Sequence, residues 1–373
     1  SPLGIIPEDW EVKRLGDFSR FFSGGTPKSG NPLFYNGNIP FIRSGEINKG
    51  KTELFLSQEG VDNSSAKLVE EGDILYALYG ANSGQCSLSK IQGAINQAIL
   101  CIRPKTNKYY VMSVLQLNKE HYYNSFLQGG QGNLSGEIVS NYRLAIPPIE
   151  EQERICNVLQ LWDTAIAKQT ALIEKLTLCK RGLMQQLLTG KKRLKGFEGE
   201  WKNIMIGSIA ERITRKNEED NKNVVTISAQ RGFVVQTDFF NKSVASEILD
   251  GYFLVHKDEF CYNKSYSNGY PMGAIKRLKS FDKAVVTTLY ICFRLKEKLR
   301  TNIDFFEQYC ESGLLNKELV KVANEGGRAH GLLNVTPADF FNMHMRFPLI
   351  EEQTAIASVL VNADKEIEIH KQK

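Results

Sequence analysis

From Ile155 onward, apolar side chains step along the chain in alternating fours and threes: Ile155, Leu159, Trp162, Ile166, Ile173, Leu176, Leu183 and Leu187. Polar Gln169 and Lys180 occupy two of the seam positions. A 3.5-residue spacing held this long predicts one helix with a coiled-coil seam. Pro147 and Pro148 stand at its start and Glu150 and Glu151 fall in its first turn, at the positive end of the helix dipole. Gly190, followed by Lys191, Lys192 and Arg193, marks its end. Run from Glu150 to Leu188, such a helix is about 58 Å long at about 1.5 Å per residue.

The chain ahead of this helix carries no such period. Residues 1–148 hold short strand-like runs, Asn38–Arg43, Asp73–Leu78 and Ala98–Arg103, separated at close intervals by turn residues. This is mixed α/β and lacks the strand–helix alternation of a doubly wound sheet.

The plan then repeats. Ile149-Glu150-Glu151-Gln152 returns as Ile350-Glu351-Glu352-Gln353. Ile155, Val158, Leu159, Asp163 and Ile166 return as Ile356, Val359, Leu360, Asp364 and Ile367, every pair 201 positions apart (350 − 149). Gly4, Trp10 and Gly16 are echoed by Gly196, Trp201 and Gly207. The expected architecture is α+β: two α/β modules in tandem, each followed by a long helix, the two helices pairing as an antiparallel coiled coil. The expected boundaries are 1–148 for the first module, 149–190 for the first spacer helix, 191–347 for the second module with a basic linker at 191–195, and 348–373 for the second helix. By the same offset Lys373 matches Leu172, so the second helix reads as cut short beside its counterpart.

Composition changes this picture little. A chain of 373 residues with 42% hydrophobic content suits two domains of ordinary size. Seven scattered cysteines, with no Cys-x-x-Cys pair, indicate neither a disulfide framework nor a zinc site, and they suit a reducing cytoplasm. No apolar run approaches the roughly 20 residues that span a bilayer, and the start lacks signal-peptide architecture, so a soluble, unexported protein with no membrane partner is expected. A net charge of +5 tolerates a nucleic-acid partner without requiring one.

Candidate chemistry sits in the loops. The first module offers Arg43, Lys49 and Lys51, then Tyr76 and Tyr79 leading into Asn82, Ser83 and Gln85, and Gln131 and Asn133 in a glycine-rich stretch. The second offers Lys264, Tyr266, Asn268 and Tyr270, with Arg328 and His330 in another. Amides pair bidentately with adenine, Arg and Lys with guanine, and hydroxyls reach phosphates, so these sets point to DNA. Solvated turns draw on the same residue types. Gly45-Glu-Ile-Asn-Lys-Gly50-Lys51-Thr52 matches the phosphate-loop pattern, but the run before it holds Pro40 and Arg43 and Gly60 follows soon after, so a basic turn is expected in place of a nucleotide site. Asn31-Pro32-Leu33-Phe34 departs from the aminomethyltransferase tetrad at Leu33, and no nucleophile–base set stands out, so no catalytic residue and no metal site is expected.

The chain resembles the specificity subunits of type I restriction-modification systems. Carrying the resemblance are Trp10 with Leu15-Gly16, Gly37–Arg43, Gly72–Leu75, Asn133-Leu134 and Pro147–Gln152 with its helix, then Gly196, Trp201, Leu332–Val335 and Phe347–Gln353. The resemblance implies two target-recognition domains that each read half of an asymmetric, interrupted sequence in double-stranded DNA. It implies a non-catalytic chain, with two modification (methyltransferase) subunits docked on the helices and restriction subunits joining them. S-adenosylmethionine, ATP and magnesium would belong to those partners. Ile155, Leu159, Trp162, Ile166, Ile173, Leu176, Leu183, Ile356, Leu360 and Ile367 are the expected coiled-coil and partner-binding positions. Two other readings remain: a coiled-coil scaffold with non-specific DNA binding, and a phosphate-loop nucleotide-binding protein.

Overall fold

In the first module the runs around Ile74 and Ile99 are apolar at every position, which suits central strands covered on both faces. The computed structural model describes residues 5–126, 133–236, 249–296, 300–323 and 333–372, and there the runs become strands Ile74–Ala77 and Ile99–Pro104. They lie inside an antiparallel sheet in the order Ser19–Ser23, Ile99–Pro104, Ile74–Ala77, Cys86–Leu88. Alternate residues serve opposite layers, as the two-residue strand period requires. Ile74, Tyr76, Leu100 and Ile102 pack with Tyr110, Val111 and Leu115 of helix Lys108–Leu117. Leu75, Ala77, Ile99 and Cys101 pack with Ile42, Val69 and Ile95. Those last three belong to a second sheet ordered Leu54–Leu56, Tyr35–Ile42, Gly93–Ile95, Lys67–Val69.

The chain divides into two compact units, Ser1–Ile166 and Ala167–Lys373, and the second repeats the frame of the first. Its four-stranded sheet runs Ala210–Arg212, Ile291–Leu295, Phe260–Asn263, Ala274–Arg277, again antiparallel throughout. Phe260, Tyr262 and Phe293 pack with Phe305 and Phe306 of helix Ile303–Glu311. Each unit also pairs an opening strand with the strand just ahead of a long helix: Glu11–Arg14 with Arg143–Ile146, and Lys202–Met205 with His344–Phe347. Gly16 and Gly207 fill the same place, because a side chain at either would stand 3.1 Å from a carbonyl oxygen, that of Ser140 or of Phe341. Outside this frame the units differ. Where the first has the mixed second sheet, the second has two antiparallel pairs, Val225–Ser228 with Gly232–Val235 and Phe253–His256 with Lys283–Val286, joined by a parallel bridge between Val224 and Val285.

The repeated Glu-Gln pair explains why the helix starts are alike. Gln152 is buried; its Nε2 donates to the Pro147 carbonyl (2.8 Å), and its Oε1 accepts from Thr106 Oγ1 (2.7 Å) and the Asn107 amide (3.3 Å). Asn107 in turn caps helix Lys108–Leu117 by accepting from the Tyr109 and Tyr110 amides. Gln353 does the same, donating to Pro348 O (3.0 Å) and accepting from the amide of Asn302 (2.9 Å), the cap of helix Ile303–Glu311. Beside each glutamine a tryptophan is tied in: Trp10 Nε1 donates to Glu151 (3.0 Å) and Trp201 Nε1 to Glu352 (3.2 Å). Only Glu352 also receives a bidentate arginine, Arg193, at 2.5 and 2.6 Å.

The long helices run Ile149–Leu187 and Ile350–Gln372. The first stops where expected: Gly190 takes φ +69°, a left-handed value that favours glycine, with the Trp201 ring against it. Within the second unit the polar seam positions find partners. Gln169 Nε2 donates to His370 O (2.5 Å) and Lys180 Nζ to Asp364 Oδ1 (2.5 Å), so contacts climb one helix as they descend the other. Ile173, Leu176 and Leu183 are half-buried. Ile367 is buried, while Ile356 and Leu360, expected on a seam, are core residues of the second unit, packed with Met184, Leu187, Trp201 and Phe347 because the helix starts inside that core. In the first unit Ile155 packs on the core, whereas Leu159, Trp162 and Ile166 are exposed. Among the described residues no helix is long and apolar enough to cross a membrane.

Removing a buried carboxylate strands its cation and its indole donor. Glu352→Ala is expected to destabilise the second unit by on the order of 3 kcal/mol. Glu151→Ala, at a more open position with one neutral partner, costs about 1 kcal/mol in the first unit. Urea unfolding of the two variants checks the ratio, and equal losses would remove the distinction drawn between the clamps.

Candidate nucleic-acid interface

In the first module two loops meet. The turn after strand Tyr35–Ile42 folds as a single 3-10 turn, Ser44–Glu46, and the segment through Lys51 returns to strand Leu54–Leu56. Gly45 faces the loop joining Ile74–Ala77 to Cys86–Leu88: a side chain at Gly45 would stand 3.5 Å from Asn82 Nδ2. Lys49 and Lys51 are exposed, and the described residues give neither an ion pair. The Lys90 stem lies beside Gly50, and the Lys119 stem beside Gly84 (φ +78°). Leu134 N donates to Leu78 O, which brings exposed Asn133 alongside the same loop. The candidate interface on these loops therefore comprises Lys49, Lys51, Asn82, Gln85 and Asn133, with half-buried Tyr79 at its edge. Burial pushes the Tyr79 hydroxyl up from its ordinary value.

Three expected contacts are corrected. Tyr76 is 1% exposed and sits in the core between the sheet and its helix, so it reaches no ligand. Ser83 is buried, its hydroxyl donating to Leu78 O (3.0 Å) to close the loop. Arg43 is committed to carboxylates: Nη2 lies 2.9 Å from Glu46 and 2.6 Å from Glu53. Those side-chain bonds raise the guanidinium further above its ordinary value. Burial pushes the Glu46 carboxyl up, but the Arg43 side chain, the amides of Arg43 and Glu53 and the Thr52 hydroxyl outweigh it and bring it to about 2. Thr52 Oγ1 donates to Phe41 O (2.7 Å), and strand Leu54–Leu56, not a helix, comes next after Lys51. The phosphate-loop pattern is thus a turn locked by its own glutamate.

The second module places its loop, residues 264–273, between Phe260–Asn263 and Ala274–Arg277. Leu333 N donates to Lys264 O, the counterpart of the Leu134 bond. Tyr266 and Asn268 are exposed at the tip. Lys264 is half-buried, and burial lowers its ammonium below the ordinary value. Tyr270 is a further correction. Its hydroxyl donates to Glu311 Oε2 (2.8 Å), and Lys276 pairs with the same carboxylate, so the hydroxyl is committed within the module. Gln131, Arg328 and His330 lie outside the described residues. Lys90, Lys119 and Gln230, whose Nε2 donates to Asn268 O (3.0 Å), join these loops without having been expected. Single lysines and glutamines in turns or at a helix start carry no periodic signal. Among the described residues no three His, Cys, Asp or Glu side chains gather as a metal site.

Comparison with known proteins agrees with the resemblance read from the residues. Residues 7–178 match the family described as type I restriction modification DNA specificity domain. The MjaVIII specificity subunit of Methanocaldococcus jannaschii is 30% identical over 188 residues, covering 49% of this chain and 43% of that protein. The EcoR124I/EcoR124II specificity subunit of Escherichia coli is 25% identical over 165 residues, 41% of each. The chain thus spans less than half the length of these curated relatives. A solved S subunit of a type I system from M. genitalium superposes with a TM-score of 0.61 over 100% of this chain and 94% of that one, at 15% identity. A chain from a structure of type I R-M complex assembly gives 0.56 over 99% and 93%, also at 15%. At that identity the likeness is one of fold: two sheet-rich modules with long helices.

The Glu46 carboxyl, held at about 2 against an ordinary 4.5, contributes stability that is fully present above pH 4.5 and is lost as pH falls from there toward 2. Glu46→Gln is therefore expected to flatten the pH dependence of first-unit unfolding in that window. Denaturation curves at pH 3 and pH 6 check it, and an unchanged pH difference would count against the pairing.

Proposed function

We propose that this chain, whose residues 7–178 are matched as a type I restriction modification DNA specificity domain, is the DNA-specificity subunit of such a system. Its two modules each read one half of an interrupted, asymmetric duplex sequence. What supports this most is one frame built twice with different loop content: Lys49, Lys51, Asn82, Gln85 and Asn133 in the first module, Lys264, Tyr266 and Asn268 in the second. A shared frame presents both loops from the same strand ends, and unlike side chains there select unlike bases. Lysines at turn positions hold phosphates and set register, while amides and Tyr266 face base edges.

The long helices act as spacer and docking surface. Paired antiparallel as a coiled coil, they fix the gap between half-sites, and the exposed Leu159, Trp162 and Ile166 offer an apolar face to modification subunits. The chain itself is non-catalytic. Methyl transfer with S-adenosylmethionine, and ATP- and magnesium-dependent restriction, belong to two modification subunits and the restriction subunits, in the cytoplasm. The phosphate-loop reading is withdrawn, since Thr52 and Glu46 fill that turn with their own bonds.

Selecting from a random duplex library with the full chain and its modification subunits is expected to return a two-part motif with an unread gap. Retention without a motif, vanishing as salt rises, would instead support a scaffold with charge-driven binding. Exchanging residues 1–148 should change one half-site, and deleting one heptad of the first helix should change the gap alone. Lys49→Ala and Lys51→Ala should each reduce the slope of log affinity against log salt by about 1 and leave the motif intact.

A further inference from the structure

We propose that Tyr270, Lys276 and Glu311 form a positioning device for the second module's reading loop, a determinant of half-site specificity that touches no DNA; this rests on the function proposed above.

The loop tip is a four-residue turn. Ser267 N donates to Tyr270 O (3.3 Å) and Tyr270 N to Ser267 O (2.8 Å), with Gly269 at φ +80° in the third position, where a turn of this hand needs glycine. Asn268 is carried at its second position, and Tyr266 stands just ahead of it, 68% exposed. Because Tyr270 closes the turn, whatever fixes Tyr270 fixes the direction of both. Its hydroxyl donates to Glu311 Oε2 at 2.8 Å, and Glu311 is the last residue of helix Ile303–Glu311, whose Phe305 and Phe306 are fully buried. Lys276, itself buried, donates to Glu311 Oε1 (2.6 Å) and to the Tyr270 hydroxyl (3.2 Å), and its ammonium stands 4.6 Å over the ring centroid. The tyrosine is thus held by ring and hydroxyl to a helix anchored in the core of the unit. Gln230 Nε2 also donates to Asn268 O (3.0 Å). Among the described residues the first module's loop shows no such anchor: Ser83 closes that turn on Leu78 O within the loop itself. Placement of base-reading groups to a fraction of an ångström decides discrimination, so a support of this kind acts on specificity more than on affinity.

The test uses the full chain with its modification subunits. In the random-library selection, Tyr270→Phe keeps the ring and removes the hydroxyl. It is expected to lower discrimination at the second module's half-site about tenfold, with the other half-site, the gap and the salt slope unchanged. Should Tyr270→Phe fail to fold, Glu311→Gln keeps an acceptor for the hydroxyl and is expected to lower that discrimination about threefold. Unchanged half-site preference in a folded variant overturns the proposal. So does an equal loss at both half-sites, which marks a merely structural role. A salt slope reduced by about 1 overturns it as well, by making Tyr270 a direct phosphate contact. If the parent chain returns no gapped motif, the proposed function falls first and takes this inference with it.

Discussion

The frame that both modules share is pinned at one buried glutamine. Gln152 and Gln353 each lie at the start of a long helix, and each donates through its amide nitrogen to a carbonyl just ahead of that helix while its amide oxygen accepts from the capping residue of another. A buried amide left unmatched costs more than a matched one gains, so the position tolerates only a partner set like the one found. That set ties the turn Pro147-Pro148 or Phe347-Pro348 to the cap at Asn107 or Asn302, and the cap orients the helix that covers the four-stranded sheet. The tryptophan–glutamate bond alongside fixes the opening strand to the same corner. One local constraint therefore sets helix, sheet and opening strand together, and its repetition gives two modules with one frame.

Much of this was legible in the residues, for a physical reason. The clamp needs Trp, Glu and Gln in fixed relation, and helical periodicity exposes every third or fourth position, so both signals survive in a single sequence. The apolar runs at Ile74 and Ile99 likewise announced strands, whose central place the fold supplies. What was illegible is which member of a mixed run faces inward. Tyr76 belongs to a run buried on both faces, where alternation disappears, and only the packed helix beside it tells a core tyrosine from a loop tyrosine. Arg43 and Glu46 are three residues apart in a turn with no helical pattern to pair them. Tyr270 and Glu311 are 41 positions apart, and nothing local to either announces the bond.

The frame and the loops also differ in what holds them. The sheet–helix core is apolar and shared, whereas the loop supports are polar and particular to each module: Arg43 with Glu46 and Ser83 in one, Lys276 with Glu311 and Gln230 in the other. Polar supports depend on exact partners, so they can be exchanged as sets without disturbing the apolar frame beneath. This separation lets recognition diverge while the helix starts remain alike, and it accounts for the second sheets differing where the first sheets agree.

Charge completes the argument. A net charge of +5 over 373 residues is a weak field for a polyanion, and much of the cationic content is already spent inside the protein. Arg103 and Lys108 share buried Asp73, Arg193 holds Glu352, Arg215 holds Glu259, and Arg277 is ringed by Asp258, Asp304 and Glu307. Burial alone would push the Asp73 carboxyl up, and the arginine and lysine beside it hold it below its ordinary value instead, so those cations are bound tightly to the fold. The lysines left at the first module's loops are few. Under the proposed function, a chain built this way gains little from unselective attraction to phosphate, so more of its affinity would come from matched base edges. Sparing use of exposed charge would then raise the ratio of specific to non-specific binding, the quantity on which a search through many competing sites depends.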